Sequence, residues 1–257
     1  MGIYDREYFR SDTSRRRFGP PMWSITTWLI VINIAVFLLD GILAHAGETR
    51  FERMYGLTKQ GFLTQWGYFS YSTAIQQGQV WRFLTFQFLH ASPSHLLWNM
   101  VSLYFFGRIV EPMYGAGKFL GLYLVCGVAG TVAYTVLWAA GMFGDVGGGT
   151  ELVGASAGIF GVLVVAAMLA PNVQFMFIFP PIPIRLRTLA WIMLGLAVYA
   201  VVFSGENAGG EASHLGGAAM GLIFVFNPQL LDLFTMRRRS RTRRRTSFSD
   251  WRNDPNH

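Results

Sequence analysis

Four residues of this 257-residue chain set reactive or polar side chains into apolar surroundings. They are Ser156 in GASAGIFG, His214 in SHLGGAAMG, and His95 with Asn99 in HLLWN. A serine hydroxyl is a weak nucleophile until a base takes its proton, and histidine titrates in the right range to do so. Attack on a carbonyl then creates an oxyanion that needs preorganised donors, which His95, Asn99 and the Ser156 backbone N–H could supply. Each residue also has a plainer reading. A helical serine can bond its own i−4 carbonyl, and a histidine can serve as a bond between helices. His90, His95 and His214 could be zinc ligands, but no HExxH or similar spacing occurs, and the reading calls for no metal or cofactor.

These residues gain weight from the elements that must carry them. Hydrophobic residues make up 52% of the chain and charged residues 14%, with a mean hydropathy of +0.35. Such values point to the membrane class. The lone cysteine, Cys126, excludes an intrachain disulfide. Six apolar segments, roughly 23–44, 95–112, 117–141, 154–170, 186–204 and 212–228, approach the length that crosses ~30 Å of hydrocarbon. With residues 1–22 placed inside, the inner regions hold five arginines before Trp23, then Arg108 and Lys118, Arg185 and Arg187, and eight arginines from Arg237 to Arg252. The outer loops keep only Arg50, Arg53, Lys59 and Arg82. Both termini are therefore expected in the cytoplasm. A rival reading takes SRRRF at 14–18, the apolar run and AHA at 44–46 as a cleavable export signal. The run is long for that purpose and Asp40 interrupts its end, so a retained helix is expected.

In this topology the second, fourth and sixth segments run from outside to inside, ending near Pro112, Pro171 and Pro228. Asn99, Ser156 and His214 lie 13, 15 and 14 residues before those prolines. At 1.5 Å per residue this puts all three at about one depth, roughly 20 Å or a little more above the helix ends. Polar groups at such depth are expensive, and their coincidence is a functional signal. His95 is one turn from Asn99 and shares its face. Gly217 and Gly221 follow His214 as a GxxxG pair, while Gly154, Ala157, Gly158 and Gly161 make the fourth segment equally smooth. Two smooth helices can bring Ser156 within reach of His214. No acid sits at that depth, Glu211 lying one turn above His214, so a dyad is expected rather than a triad. The long loop at 45–94, with eleven aromatics between Phe51 and Phe88, reads as an interfacial segment. The glycine-rich stretches at 147–149 and 204–210 read as a mouth above the dyad, with 204–211 as a lid. The arginine-rich tail reads as a cytoplasmic signal touching anionic lipid rather than nucleic acid.

The chain resembles the rhomboid intramembrane serine proteases of the bacterial six-helix type. The resemblance covers about residues 23–228 and rests on Trp81–Arg82, His95–Asn99, Gly154–Ala157 and His214–Gly221 in this order. It implies an all-α bundle of six transmembrane helices with a long interfacial first loop. It also implies a cytoplasmic segment at 1–22, a protease domain at 23–228 and a basic, unstructured cytoplasmic tail at 229–257. By resemblance, Ser156 is the nucleophile, His214 the base, and His95 and Asn99 line the oxyanion hole. The implied substrates are transmembrane proteins cut near the outer surface of the cell membrane. Trp81–Arg82 is expected to hold the first loop and His90 to support the structure. Two positions depart from the usual pattern: Ala157 replaces glycine, and Phe160 replaces a tyrosine that stacks on the histidine. The competing reading is an inactive rhomboid-like protein that binds transmembrane helices. A transporter is disfavoured, because no intramembrane carboxylate relay and no internal repeat are visible.

Overall fold

The computed structural model describes residues 23–47, 61–143, 150–176, 183–203 and 207–235. Each apolar segment forms a helix, and short elements lie between them. In chain order the helices are α1 (Ile25–Gly47), α2 (Phe62–Gly67), α3 (Arg82–Thr85), α4 (Pro93–Tyr114), α5 (Ala116–Ala139), α6 (Ser156–Leu169), α7 (Leu186–Val202) and α8 (Ala208–Phe226). A π-helical turn at Tyr71–Gln76 and 3-10 turns at Phe86–Phe88 and Pro228–Phe234 complete them. The expected all-α chain also contains one small sheet. Strands β1 (Gln174–Met176) and β2 (Pro183–Arg185) pair antiparallel between α6 and α7, with Phe175 opposite Ile184.

Helix ends follow from local chemistry. Ser92 caps α4 by accepting the His95 N–H, and Pro93 follows at the first turn, where its missing N–H costs nothing. Gly115, with φ +79°, ends α4 and lets α5 begin at once. Pro112 falls inside the last turn of α4 rather than at its end. The N-terminus of α1 is held by another helix: the Glu111 carboxylate accepts the Ile25 and Thr26 N–H groups at 2.7 and 2.9 Å and the Thr26 hydroxyl at 2.6 Å. Asp40, which looked like an interruption of α1, caps α2. Its carboxylate accepts the Leu63 N–H at 2.7 Å and the Thr64 hydroxyl at 2.5 Å.

Helix α6 is the centre of the bundle. Ile159, Val162, Leu163, Val165 and Ala166 are buried in one core with residues of α1, α4, α5, α7 and α8. By contrast α7 presents Trp191, Ile192, Leu196 and Tyr199 outward. Stretches of α1 and α5 are each long and apolar enough to cross a bilayer. Helix α8 and the turn Pro228–Phe234 meet that measure together, bent by 99°, while α6 and α7 are shorter apolar helices. The folded chain also runs past the expected boundary at 228. Leu231 is fully buried, Asp232 pairs with Lys118 at 2.5 Å, and the Phe234 ring lies over Gly121. The segment 1–22, residues 48–60 of the first loop, the glycines at 147–149 and the arginine tail beyond 235 lie outside the described residues.

Candidate active site

The segment before α6 is pinned from two sides. Leu152 exchanges both backbone hydrogen bonds with Phe69 at 2.7 and 3.0 Å, and the Gly154 N–H donates to the Phe86 carbonyl at 2.9 Å. Gly154 has φ +126°, a conformation that side chains with a Cβ rarely adopt. After this turn, α6 begins at Ser156 itself. The Ser156 N–H is thus among the donors that a helix leaves without an intrahelical partner. The side chain does not bond back along its own helix. Its Oγ lies 2.8 Å from Nε2 of His214 on α8.

Glycine makes that crossing possible. A Cβ on Gly217 would lie 2.0 Å from the Ala157 carbonyl oxygen, and one on Gly221 would lie 2.5 Å from that of Gly161. The two backbones touch where the sequence expects smooth surfaces. Gly158 has a different neighbour: it faces Tyr123 of α5 rather than α8. One residue earlier on α8, Gly216 meets Ala133 and the Ala129 carbonyl of α5. Helix α8 is therefore wedged between α5 and α6, with a glycine of its own at each contact line. Gly209 and Gly210, expected in a flexible mouth, are buried in the first turn of α8. Of the proposed lid at 204–211, residues 208–211 are thus helical, and 204–206 are not described.

Three groups fix the imidazole of His214. Nε2 meets Ser156, the Phe160 ring stacks 4.3 Å away at an interplanar angle of 6°, and Nδ1 lies 2.9 Å from Oε2 of Glu211. The phenylalanine at position 160 thus keeps the stacking expected of a ring. Glu211, expected one turn above His214, touches its ring. Glu211 is three residues before His214 in the first turn of α8, so its side chain reaches back along the same face. Backbone depth alone does not reveal this contact, which depends on the length of a glutamate side chain.

The remaining expected residues lie opposite. His95 and Asn99 line the same cavity of about 470 Å³ as Gly154, Ser156 and His214. A Cβ on Gly154 would lie 2.8 Å from His95 Nε2 and 3.6 Å from Asn99 Nδ2, so the missing side chain leaves a recess faced by both nitrogens. Asn99 Nδ2 is buried without a hydrogen-bond partner among the described residues. A buried unpaired donor facing a recess is poised for an oxygen that arrives from outside. His90 packs edge-on against His95, with ring centroids 5.1 Å apart, and neither of its ring nitrogens is bonded among the described residues. Burial, followed by the neighbouring His95, lowers the His90 pKa to about 3 and keeps the ring neutral.

Trp81 and Arg82 stand apart from the cavity and bind the first loop together. The Trp81 indole donates to the Trp66 carbonyl at 3.0 Å. Arg82 donates to the Tyr68 and Gln65 carbonyls at 2.6 and 2.8 Å and to Gln79 Oε1 at 2.6 Å, with its guanidinium over the Tyr68 ring.

Comparison with known proteins gives the family. Residues 77–227, more than half of the chain, match the Rhomboid domain. The chain belongs to the rhomboid family. It is 32% identical to rhomboid protease GluP of Bacillus subtilis over 155 residues, 59% of this chain and 28% of that protein. RHOMBOID-like protein 1 of Arabidopsis thaliana is 30% identical over 170 residues, 65% of this chain and 40% of that protein. Rhomboid protease GlpG of Pectobacterium atrosepticum is 25% identical over 225 residues, 88% of this chain and 68% of that protein. The chain thus spans less than half the length of the first two relatives. The rhomboid domain and the apolar helices together make this a membrane protein.

Proposed function

We propose that this rhomboid is an intramembrane serine protease that hydrolyses peptide bonds in or near transmembrane segments of other membrane proteins. The observation that carries the reading is the 2.8 Å contact between Ser156 Oγ and His214 Nε2 beside the unpartnered amide of Asn99. In the first half of the reaction the Ser156 hydroxyl gives its proton to Nε2 as Oγ bonds to the scissile carbonyl carbon. The carbonyl oxygen becomes an oxyanion in the recess beside Gly154, taking hydrogen bonds from His95, the Asn99 amide and the Ser156 N–H. Collapse of this intermediate breaks the C–N bond, and the imidazolium returns its proton to the departing amine. Water then repeats the sequence on the acyl-enzyme, with His214 taking the water proton and giving it to Ser156 as Oγ leaves.

Helix length supports the membrane setting. Helix α6 has 14 residues, ~21 Å at 1.5 Å each, whereas the hydrocarbon layer is ~30 Å thick. With its C-terminal end at the inner boundary, Ser156 sits below the outer surface, and the missing length is the space a cavity occupies. We assign α1, α4, α5, α6, α7 and α8 as six spans within a domain over residues 23–228 and its packed extension to 235. Both termini are cytoplasmic, residues 1–22 and the basic tail lie inside, the first loop lies in the outer interface, and the cavity opens outward. Arginine asymmetry supports this orientation. The partners are transmembrane substrates and lipid, with no nucleic acid.

The deciding experiment is cleavage of a labelled transmembrane substrate by detergent-purified protein, with a serine-directed fluorophosphonate as an independent probe. Wild type is expected to cleave and to be labelled, and Ser156→Ala and His214→Ala to do neither while remaining folded. Cleavage by Ser156→Ala overturns the assignment. Binding without cleavage by the wild type would make this an inactive rhomboid-like protein instead.

A further inference from the structure

The Glu211 carboxylate bonds the imidazole of the reactive pair, and the dyad chemistry above leaves it unused. A carboxylate can only accept hydrogen bonds. With Oε2 at 2.9 Å from Nδ1, the ring proton must sit on Nδ1, which leaves the Nε2 lone pair facing Ser156 Oγ at 2.8 Å. That is the tautomer a general base requires. The opposite tautomer would set the Nδ1 lone pair against the carboxylate and point the Nε2 hydrogen at the serine oxygen. The pair is also sheltered. The His214 side chain is 14% exposed and that of Glu211 25%, so the contact is weakened but not erased by solvent.

We infer that Glu211 is a positioning residue for His214, making the reactive group of this rhomboid a Ser156–His214–Glu211 relay rather than a two-residue dyad. The inference rests on the protease reading above. Glu211 accepts the Nδ1–H hydrogen bond throughout. As Ser156 gives its proton to Nε2, the carboxylate faces the imidazolium that forms, so it acts most strongly after the proton has moved. Phe160 closes one face of the ring and cannot replace this contact, since a phenyl ring offers neither a charge nor a strong acceptor. Among the described residues, the other titratable groups facing the pair are His95 from α4, next to His90, and Glu151 from the segment leading into α6.

A plain structural role is the alternative. A glutamate in the first turn of a helix is favourable against the helix dipole whatever it touches. The two roles separate in three measurements on the full chain in detergent. First, Glu211→Gln is expected to lower kcat about 10- to 100-fold with KM little changed. This is less than the ~10⁴ seen for a fully buried triad acid, because Glu211 is partly exposed. Second, Asn207→Asp added to Glu211→Gln restores a negative charge at the start of α8, from a side chain that lies against Gly210. It is expected to recover thermal stability but not kcat. Third, nitrogen NMR of ¹⁵N-histidine-labelled protein, assigned with His214→Ala, is expected to report the Nδ1–H tautomer for His214 in wild type and loss of that preference in Glu211→Gln. Wild-type kcat in Glu211→Gln, rescue of kcat by Asn207→Asp, or an Nε2–H tautomer in wild type would each overturn the inference. The failures are distinguishable: cleavage by Ser156→Ala sinks the protease reading, whereas an inactive Ser156→Ala beside a fully active Glu211→Gln sinks only the part given to Glu211.

Discussion

Gly217 faces the carbonyl oxygen of Ala157 so closely that a Cβ built on it would lie 2.0 Å away. The listener on the other side of that contact is the backbone of α6, one residue after Ser156, and it cannot swing aside as a side chain could. The backbone separation of α6 and α8 is thereby tied to the distance between Ser156 and His214.

Gly217→Ala should therefore lower thermal stability and proteolysis together. Overpacking at a close crossing costs about 1–3 kcal/mol, and a shift of a catalytic base by ~1 Å costs about 10²-fold in rate. Gly217→Val should be worse. Ala157→Leu should be nearly inactive, since Ala157 is fully buried and lies against Gly130 of α5. Gly195→Ala on α7 is the control, because a Cβ there meets nothing within 4 Å. Thermal unfolding and substrate cleavage on the same preparations decide the matter. A Gly217→Ala protein with wild-type melting and activity would mean the helices do not meet as described.

The recess beside Gly154 gives a second prediction. Gly154→Ala forces a side chain into φ +126° and puts its Cβ 2.8 Å from the His95 ring, so both strain and obstruction are expected. Asn99→Ala removes a donor without adding bulk. Loss of one oxyanion donor costs about 10²–10³ in rate, so Asn99→Ala should cleave slowly, melt near wild type and still take the fluorophosphonate slowly. Gly154→Ala should lose activity and stability together. Unchanged turnover in Asn99→Ala would remove that amide from the site.

Much of this was legible because membrane helices are read by length and hydropathy, and because polar residues in them stand out. Ser156, His214, His95 and Asn99 stand out in that way, and they line one cavity. What escaped depends on side-chain reach and on long-range contact. Glu211 reads as part of the loop at 204–211, yet it occupies the first turn of α8 and bonds its neighbour three residues on. Asp40 looked like a flaw in α1, since the N-terminus it caps lies 23 residues later. Gly158 was grouped with Ala157 by sequence, but successive helical residues point about 100° apart, and it packs on Tyr123 instead. Gly127 carries no local signal at all; it makes room for the buried Gln87 amide from the first loop.

A third prediction concerns pH and stability. Burial lowers His90 to about 3 in the folded protein, against about 6.5 in the unfolded chain. Between those values the unfolded chain takes up a proton that the folded protein refuses, so stability falls as pH drops below 6.5. One titrating group gives a slope of about 1.4 kcal/mol per pH unit. Above pH 6.5 both states are neutral and the contribution vanishes. His90→Leu should therefore lose stability more slowly than wild type from pH 6.5 to 5. Parallel melting curves for the two proteins across that range would contradict the assignment.

The last prediction separates the shape of Arg82 from its charge. The residue is 4% exposed, and its three donating nitrogens serve three separate acceptors: Gln79 Oε1, the Tyr68 carbonyl and the Gln65 carbonyl. A lysine keeps the charge but offers one compact ammonium in place of a planar fork, and it cannot lie flat over the Tyr68 ring. Arg82→Lys should therefore behave almost as badly as Arg82→Ala. Each buried hydrogen bond left unmade costs roughly 1–3 kcal/mol. The damage should reach the site through the backbone, because Arg82 ties down the turn leading to Phe86, and the Phe86 carbonyl holds the Gly154 N–H. Loosening the loop should thus slow fluorophosphonate labelling of Ser156 as well as lower the melting temperature. Gln79→Ala, which removes a single side-chain acceptor, should be milder on both counts. If Arg82→Lys melts and labels like wild type, charge alone suffices and the fork geometry has no part in holding the first loop against the site.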